Sequence, residues 1–123
     1  MKEVILKHDA SGEFFTPEIC HIIEVSNSEA DGEVSIARAR VEPTIQTKLH
    51  RLDGTNERYL IVSGRGVVEV GTLPPAEVIP GDVVIIPDGV TQRIRNIGTD
   101  DLMFYCICTP RFEPAMYVAI ETD

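Results

Sequence analysis

The chain has 123 residues, of which 43% are hydrophobic, and it carries a formal net charge of −9 at pH 7. This length predicts one globular domain, residues 1–123, that buries a core without disulfides or a metal ion to stabilise it. The negative charge argues against nucleic acid and anionic membrane surfaces as partners, because neutralising phosphate groups requires clustered lysine and arginine.

The cysteines and the first residues of the chain bear on the cellular compartment. Cys20, Cys106 and Cys108 are odd in number, which argues against a disulfide framework. The stretch from Met1 to Asp9 is too polar for a signal peptide, and no run of about 18 apolar residues occurs in the sequence. We therefore expect a protein of the reducing cytoplasm.

Short β-rich runs follow one another along the chain and are separated by clusters of Gly, Pro, Asn, Asp and Ser. No stretch of about 12 residues has a convincing helical periodicity. This spacing predicts an all-β sandwich or barrel, closed so that few strand edges are exposed. The predicted strands are 18–25, 33–41, 45–52, 58–63, 66–70, 83–86, 91–97 and 102–108.

Three polar side chains have spacings that let them converge inside such a barrel. Residues two apart on a strand share a face, so Gln46, Lys48 and His50 are predicted to project together. Glu57 begins the predicted return strand, and Gln92 begins a third row. If the first two strands form a hairpin, His50 and Glu57 meet inside the barrel. An imidazole, a carboxylate and an amide oxygen together suit a divalent ion such as Zn²⁺, Mn²⁺, Fe²⁺ or Ni²⁺.

Two segments resemble the motifs of the cupin superfamily, G-x5-H-x-H-x3,4-E-x6-G and G-x5-P-x-G-x2-H-x3-N. The segment at about 44–64 has Thr44, His50, Leu52, Glu57 and Gly64 at the five marked positions. The segment at about 81–96 has Gly81, Pro87, Gly89, Gln92 and Asn96. The resemblance implies a single cupin domain with a double-stranded β-helix, or jelly-roll barrel, of about ten strands.

The resemblance also implies a metal site, with two departures from the usual ligands. The ligand positions of metal-binding cupins correspond to His50, Leu52, Glu57 and Gln92. Leucine cannot bind a metal, and glutamine offers only a carbonyl oxygen, which binds transition metals more weakly than imidazole. His50, Glu57 and Gln92 are therefore the predicted metal ligands. In the alternative interpretation, Glu57 and Gln92 simply form hydrogen bonds to His50.

Other side chains near these positions are candidates for chemistry. Tyr59 and Lys48 are predicted to share faces with Glu57 and His50, and are the candidate catalytic residues, for proton transfer beside a carbonyl or for binding an anionic substrate. The alternative is that Tyr59 fills barrel volume and Lys48 extends to the barrel mouth. Cys106 is a candidate substitute ligand, although a buried free cysteine more often acts as a small hydrophobic residue. His21 could also point inward from its strand toward the pocket, although a histidine on an apolar strand face is more usually a hydrogen-bonded core residue.

Two functions remain open at this point. The first is a metal-dependent enzyme that acts on a small organic molecule by isomerisation, cyclisation or dioxygenation. The second is a metal-free barrel that binds a small organic molecule without catalysis. The resemblance further implies a homodimer, for which the apolar Phe14, Phe15 and residues 19–25 are candidate interface positions.

Overall fold

The computed structural model describes residues 1–121, and these residues form eleven β-strands and three short 3₁₀ turns. The turns are Ala10–Gly12, Glu29–Asp31 and Pro114–Met116. The strands are β1 (Phe14–Phe15), β2 (His21–Ser26), β3 (Ser35–Val41), β4 (His50–Leu52), β5 (Asn56–Ser63), β6 (Gly66–Val70), β7 (Ala76–Val78), β8 (Val83–Ile86), β9 (Gln92–Asn96), β10 (Leu102–Thr109) and β11 (Tyr117–Ala119).

The strands form two antiparallel sheets. One sheet has the order β1-β2-β3-β10-β5-β8, and the other has the order β11-β4-β9-β6-β7. Strands that are distant in sequence therefore lie side by side, as β3, β10 and β5 do. This arrangement confirms the predicted all-β double-stranded β-helix.

Alternation of side chains along the strands explains how the sequence specifies this fold. In β5, Glu57, Tyr59 and Ile61 are buried, whereas the alternate residues Leu60 and Val62 are exposed. A strand with one face toward a core buries every second residue in this way. The core between the sheets is apolar, and its largest fully buried apolar side chains are Val41, Ile61, Ile86, Ile94 and Leu102.

The predicted strand at 45–52 is wrong over residues 45–49, because only His50–Leu52 is a strand. Thr44 has a φ of 70°, and the Ile45 amide donates to the Glu42 carbonyl in a turn. The Thr47 amide and the Thr47 hydroxyl both donate hydrogen bonds to the Ile94 carbonyl. The turn and these bonds interrupt the alternation, so Gln46 and Lys48 do not share a regular strand face with His50.

Three strands lie outside the predicted runs: Phe14–Phe15, Ala76–Val78 and Tyr117–Ala119. They have only two or three residues each, which is too short for a period-2 pattern to stand out. The third strand matters most for the site, because its pairing with β4 sets Tyr117 opposite Leu52 and Ala119 opposite His50.

Asn96, the last marked position of the second motif, caps the turn that follows β9. Its buried amide nitrogen donates to the carbonyls of Val41 (2.9 Å) and Asp100 (2.8 Å). Its amide oxygen accepts from the Gly98 amide at 2.9 Å. One side chain therefore satisfies three backbone groups where β9 ends.

Within residues 1–121 there is no helix of the length and apolarity that crossing a membrane would need. The homodimer stays a prediction. Exposed apolar side chains include Phe14 and Phe15 on β1, and a row across β5 and β8 made of Leu60, Val62, Val83 and Ile85.

Candidate functional site

The geometry around His50 leaves one imidazole nitrogen free for a ligand. The Nδ1 atom lies 2.9 Å from the Lys48 carbonyl oxygen. Because a carbonyl only accepts, Nδ1 carries the proton and Nε2 keeps its lone pair. No residue among 1–121 forms a hydrogen bond to Nε2. Burial lowers the pKa of His50, which favours this neutral form.

Two residues outside both motifs hold the His50 ring. The Glu18 carboxylate oxygen Oε2 lies 3.1 Å from Nδ1. The Tyr117 ring stacks on the imidazole with a centroid distance of 5.1 Å and an interplanar angle of 21°. A carboxylate that approaches Nδ1 of a histidine fixes the ring orientation and raises the basicity of the other nitrogen.

Glu18 reaches this position from a turn between β1 and β2. The Thr16 amide donates to the Cys20 carbonyl at 2.9 Å, and the Lys48 amide donates to the Glu18 carbonyl at 3.1 Å. The intervening Ile19 has a φ of 63°, which is rare for a β-branched residue. Sequence reasoning missed Glu18, because it stands at the start of a predicted strand; the preceding Thr16-Pro17 turn was the available signal.

Glu57 forms the acidic half of the site. Gln92 Nε2 donates to Glu57 Oε1 at 2.6 Å, and Gln92 Oε1 accepts from the Tyr59 hydroxyl. Burial raises the pKa of Glu57 to about 7, although the Gln92 hydrogen bond and His50 oppose the rise. Near neutral pH this carboxyl is therefore able to give or take a proton.

A cavity of about 390 Å³ joins these groups. His50, Leu52, Glu57, Cys106 and Cys108 line it from the barrel. The rest of its wall comes from the chain ends and from β2 and β3, and includes Phe14, Glu18, Glu24, Ala37, Phe112 and Tyr117. Its volume lies in the range of small-molecule sites.

The structure brings some predicted site residues together and leaves others apart. His50 and Gln92 are directly opposed in the β4–β9 pair, and Gln92 contacts Glu57. Tyr59 is buried behind Gln92 against Phe104, so it does not line the cavity.

Lys48 also does not line the cavity; it contributes its backbone groups to Glu18 and His50. Catalytic roles for Tyr59 and Lys48 stay predictions. Cys106 lines the cavity, and burial raises the pKa of its thiol. Its role as a substitute ligand stays a prediction. His21 lies outside the cavity, paired with Glu42 at 3.0 Å.

The donor set fits a divalent ion only in part. His50 Nε2 and the Glu57 carboxylate are suitable donors, but Leu52 presents an aliphatic side chain to the cavity. Gln92 directs its amide nitrogen to Glu57, and its oxygen is engaged by Tyr59. In residues 1–121 no three His, Cys, Asp or Glu side chains lie close enough together to hold a metal. Metal binding by His50, Glu57 and Gln92 stays a prediction.

The raised pKa of Glu57 predicts a specific dependence of stability on pH. The folded form binds this proton more tightly than the unfolded form, so the stabilisation is complete below the ordinary pKa near 4.5 and is lost as pH rises through about 7. Burial raises the pKa of Glu18 to about 7, which acts in the same direction. The lowered pKa of His50 has the opposite effect. The unfolded form binds this proton more tightly, so stability falls as pH drops below the ordinary histidine pKa of 6.5.

We expect Glu57→Gln to flatten the decline in unfolding free energy between about pH 5 and about pH 8, measured by urea denaturation. The matched control is Glu33→Gln at an exposed position, which should keep the wild-type slope. An equally steep decline in Glu57→Gln would show that the Glu57 pKa is not raised in the folded protein.

Comparisons with known proteins agree with this architecture. A family model described as "Cupin domain" matches residues 37–108, which is more than half of the chain. The uncharacterised protein MJ1618 of Methanocaldococcus jannaschii is 33% identical over 78 residues, covering 63% of this chain and 62% of that protein. The chain therefore spans about three fifths of the length of the curated relative that it matches.

Two solved structures extend the comparison. The plu4264 protein from Photorhabdus luminescens has a TM-score of 0.74 and 18% identity, with 88% of each chain covered. A structure of oxalate decarboxylase from Bacillus subtilis, solved in a study of its Mn(II) centres, has a TM-score of 0.71 and 22% identity. The comparison covers 91% of this chain and 29% of that one. At these identities both comparisons establish the fold alone.

Proposed function

Because the chain belongs to the cupin family, we propose that its barrel cavity binds a small organic carbonyl compound and moves a proton on it. The observation that carries this proposal is the pairing, in one cavity, of a neutral His50 with a free Nε2 and a Glu57 whose pKa is raised to about 7. Groups of this kind, with pKa values near the working pH, are effective in general acid–base catalysis.

His50 and Glu57 together supply and accept every proton that this reaction moves. His50 Nε2 takes a proton from the carbon beside the carbonyl, and the protonated Glu57 carboxyl gives its proton to the carbonyl oxygen. The products are an enol, a His50 imidazolium and a Glu57 carboxylate. Return of a proton from His50 to carbon, together with return of the enol hydroxyl proton to the Glu57 carboxylate, restores the ketone and both residues, or gives an isomer if a different carbon receives the proton.

Solvent exchange tests this function without knowledge of the natural substrate. A panel of small ketones and aldehydes is incubated with the EDTA-treated protein in D₂O, and loss of the C–H signal beside the carbonyl is followed by ¹H NMR. We expect exchange above the buffer rate for a subset of the panel. Exchange no faster than in buffer for every compound would contradict the proposal.

A divalent-metal enzyme is the second candidate, and one observation favours it. The Lys48 carbonyl and the Glu18 carboxylate at Nδ1 form the kind of outer contact that metal-binding histidines have. His50 and Glu57 would hold the ion, with Gln92 as a third ligand if its amide rotates. Such an ion supplies Lewis-acid polarisation of a ligand oxygen.

Placing histidines at Leu52 and Gln92 tests whether these two residues prevent tight metal binding. We expect the Leu52→His, Gln92→His double variant to retain about one Mn²⁺ per chain after desalting, and the wild type to retain far less, because imidazole binds the ion better than an amide oxygen. Metal content is read by inductively coupled plasma mass spectrometry. His50→Ala in the double variant is the control and should lose the ion.

Full retention of Mn²⁺ by the wild type would instead support the metal-enzyme candidate, with His50, Glu57 and Gln92 as sufficient ligands.

A further inference from the structure

The charges along the cavity wall are all of one sign. Three carboxyl side chains, Glu18, Glu24 and Glu57, line the cavity, and within residues 1–121 no lysine or arginine lines it. Glu57 is buried, and the side chain of Glu18 is only 17% exposed. An anionic ligand would lose its hydration beside these groups without gaining an ion pair, which is costly.

The free hydrogen-bonding capacity of His50 is that of an acceptor. His50 Nε2 is unpartnered within the described residues, and the His50 side chain is only 6% exposed. Its lone pair is therefore available to a donor on a molecule in the cavity. Above about pH 7, where they are mostly ionised, the Glu18 and Glu57 carboxylates also only accept, so they add to the same preference.

Aromatic rings complete the wall. Phe14, Phe112 and Tyr117 line the cavity together with the carboxylates, and Tyr117 stacks on His50. The face of an aromatic ring attracts a cation, and this attraction is stronger where water is excluded. Carboxylates, a neutral imidazole acceptor and aromatic rings are together the recognition chemistry of a cationic nitrogen with an apolar body.

We propose that the ligand carries an ammonium or other cationic N–H group, paired with Glu18 or Glu57, on an apolar or aromatic skeleton. This inference rests on the proposed function, because it takes the cavity to be the ligand site. It excludes small free carboxylate anions as ligands of the metal-free protein.

Three probes of one shape test the inference: 2-phenylethylamine, 2-phenylethanol and phenylacetate. At about pH 8 they are a cation, a neutral molecule and an anion. Their binding to the purified, EDTA-treated protein is measured by isothermal titration calorimetry. We expect the amine to bind about tenfold more tightly than the alcohol, because a charge-assisted hydrogen bond replaces a neutral one. Phenylacetate should bind more weakly than the alcohol.

A variant assigns the preference to a residue. Glu18→Gln should weaken amine binding by about tenfold and leave alcohol binding within about twofold. Glu33→Gln, which removes an exposed carboxylate outside the cavity wall, is the matched control and should change neither. Thermal melting of each variant checks that it is folded. If Glu18→Gln is unfolded, the comparison of the three probes on the wild-type protein still tests the inference.

The outcomes separate this inference from the proposed function. If phenylacetate binds as tightly as the amine, the inference is wrong and the cavity remains a ligand site. Phenylacetate binding that requires added Mn²⁺ would also overturn the inference and would favour the metal candidate. If none of the three probes binds, both the inference and a small-molecule site for this skeleton are contradicted.

Discussion

Replacing His50 with alanine should lower solvent exchange on a responsive carbonyl compound by about 10² to 10⁴-fold, the range that a positioned general base contributes. The His50 Nδ1–H donates a hydrogen bond to the Lys48 carbonyl, which leaves the Nε2 lone pair free in the cavity to accept a proton. Exchange is measured by ¹H NMR in D₂O at equal protein concentrations, with EDTA present throughout.

His21→Ala is the matched control for this loss. His21 is a histidine of the same chain that pairs with Glu42 and does not line the cavity, so its removal should leave exchange unchanged. Glu57→Gln should lower exchange as His50→Ala does, because an amide cannot deliver the acid proton. Wild-type exchange rates in His50→Ala would show that another group is the base.

Replacing Gly64 with alanine should destabilise the fold by about 3 to 4 kcal/mol. Gly64 has a φ of +86°, and a Cβ there would lie 2.8 Å from both the Asp101 carbonyl oxygen and the Leu102 Cα. These are backbone atoms at the start of β10, so relief requires movement of a strand that pairs with both β3 and β5. Urea denaturation measures the loss.

Gly81→Ala separates the two causes of this loss. Gly81 has a similar φ of +96°, but nothing lies within 4 Å of a Cβ built on it. We expect a cost of about 1 kcal/mol from the backbone conformation alone. Equal losses in the two variants would mean that close packing at Gly64 contributes nothing.

The sequence predicted the fold well because its motif glycines, prolines and polar residues have fixed structural positions. Gly64 and Gly89 adopt positive φ angles, and Asn96 caps the turn after β9. The alternating pattern of β5 also placed Glu57 on the buried face. These are local properties that spacing along one strand or turn can express.

The remaining parts of the site depend on contacts between distant segments. Glu18 and Tyr117 flank His50 from a turn before β2 and from β11, and no spacing rule connects them to either motif. The position of Lys48 was mispredicted because the turn at Thr44 breaks the strand alternation. The direction of the Gln92 amide follows from Tyr59 and Glu57 on another sheet.

Blocking the cavity tests most directly whether the barrel holds a small molecule against His50 and Glu57 without a metal. Ala37 lines the cavity from β3, so Ala37→Phe would place a benzyl group inside it, while Ala30→Phe adds the same group at an exposed position. Saturation-transfer NMR with the carbonyl panel in EDTA is expected to show binding to the wild type and to Ala30→Phe, and none to a folded Ala37→Phe. Unchanged binding to Ala37→Phe, or binding by the wild type only after Mn²⁺ is added, would contradict this account.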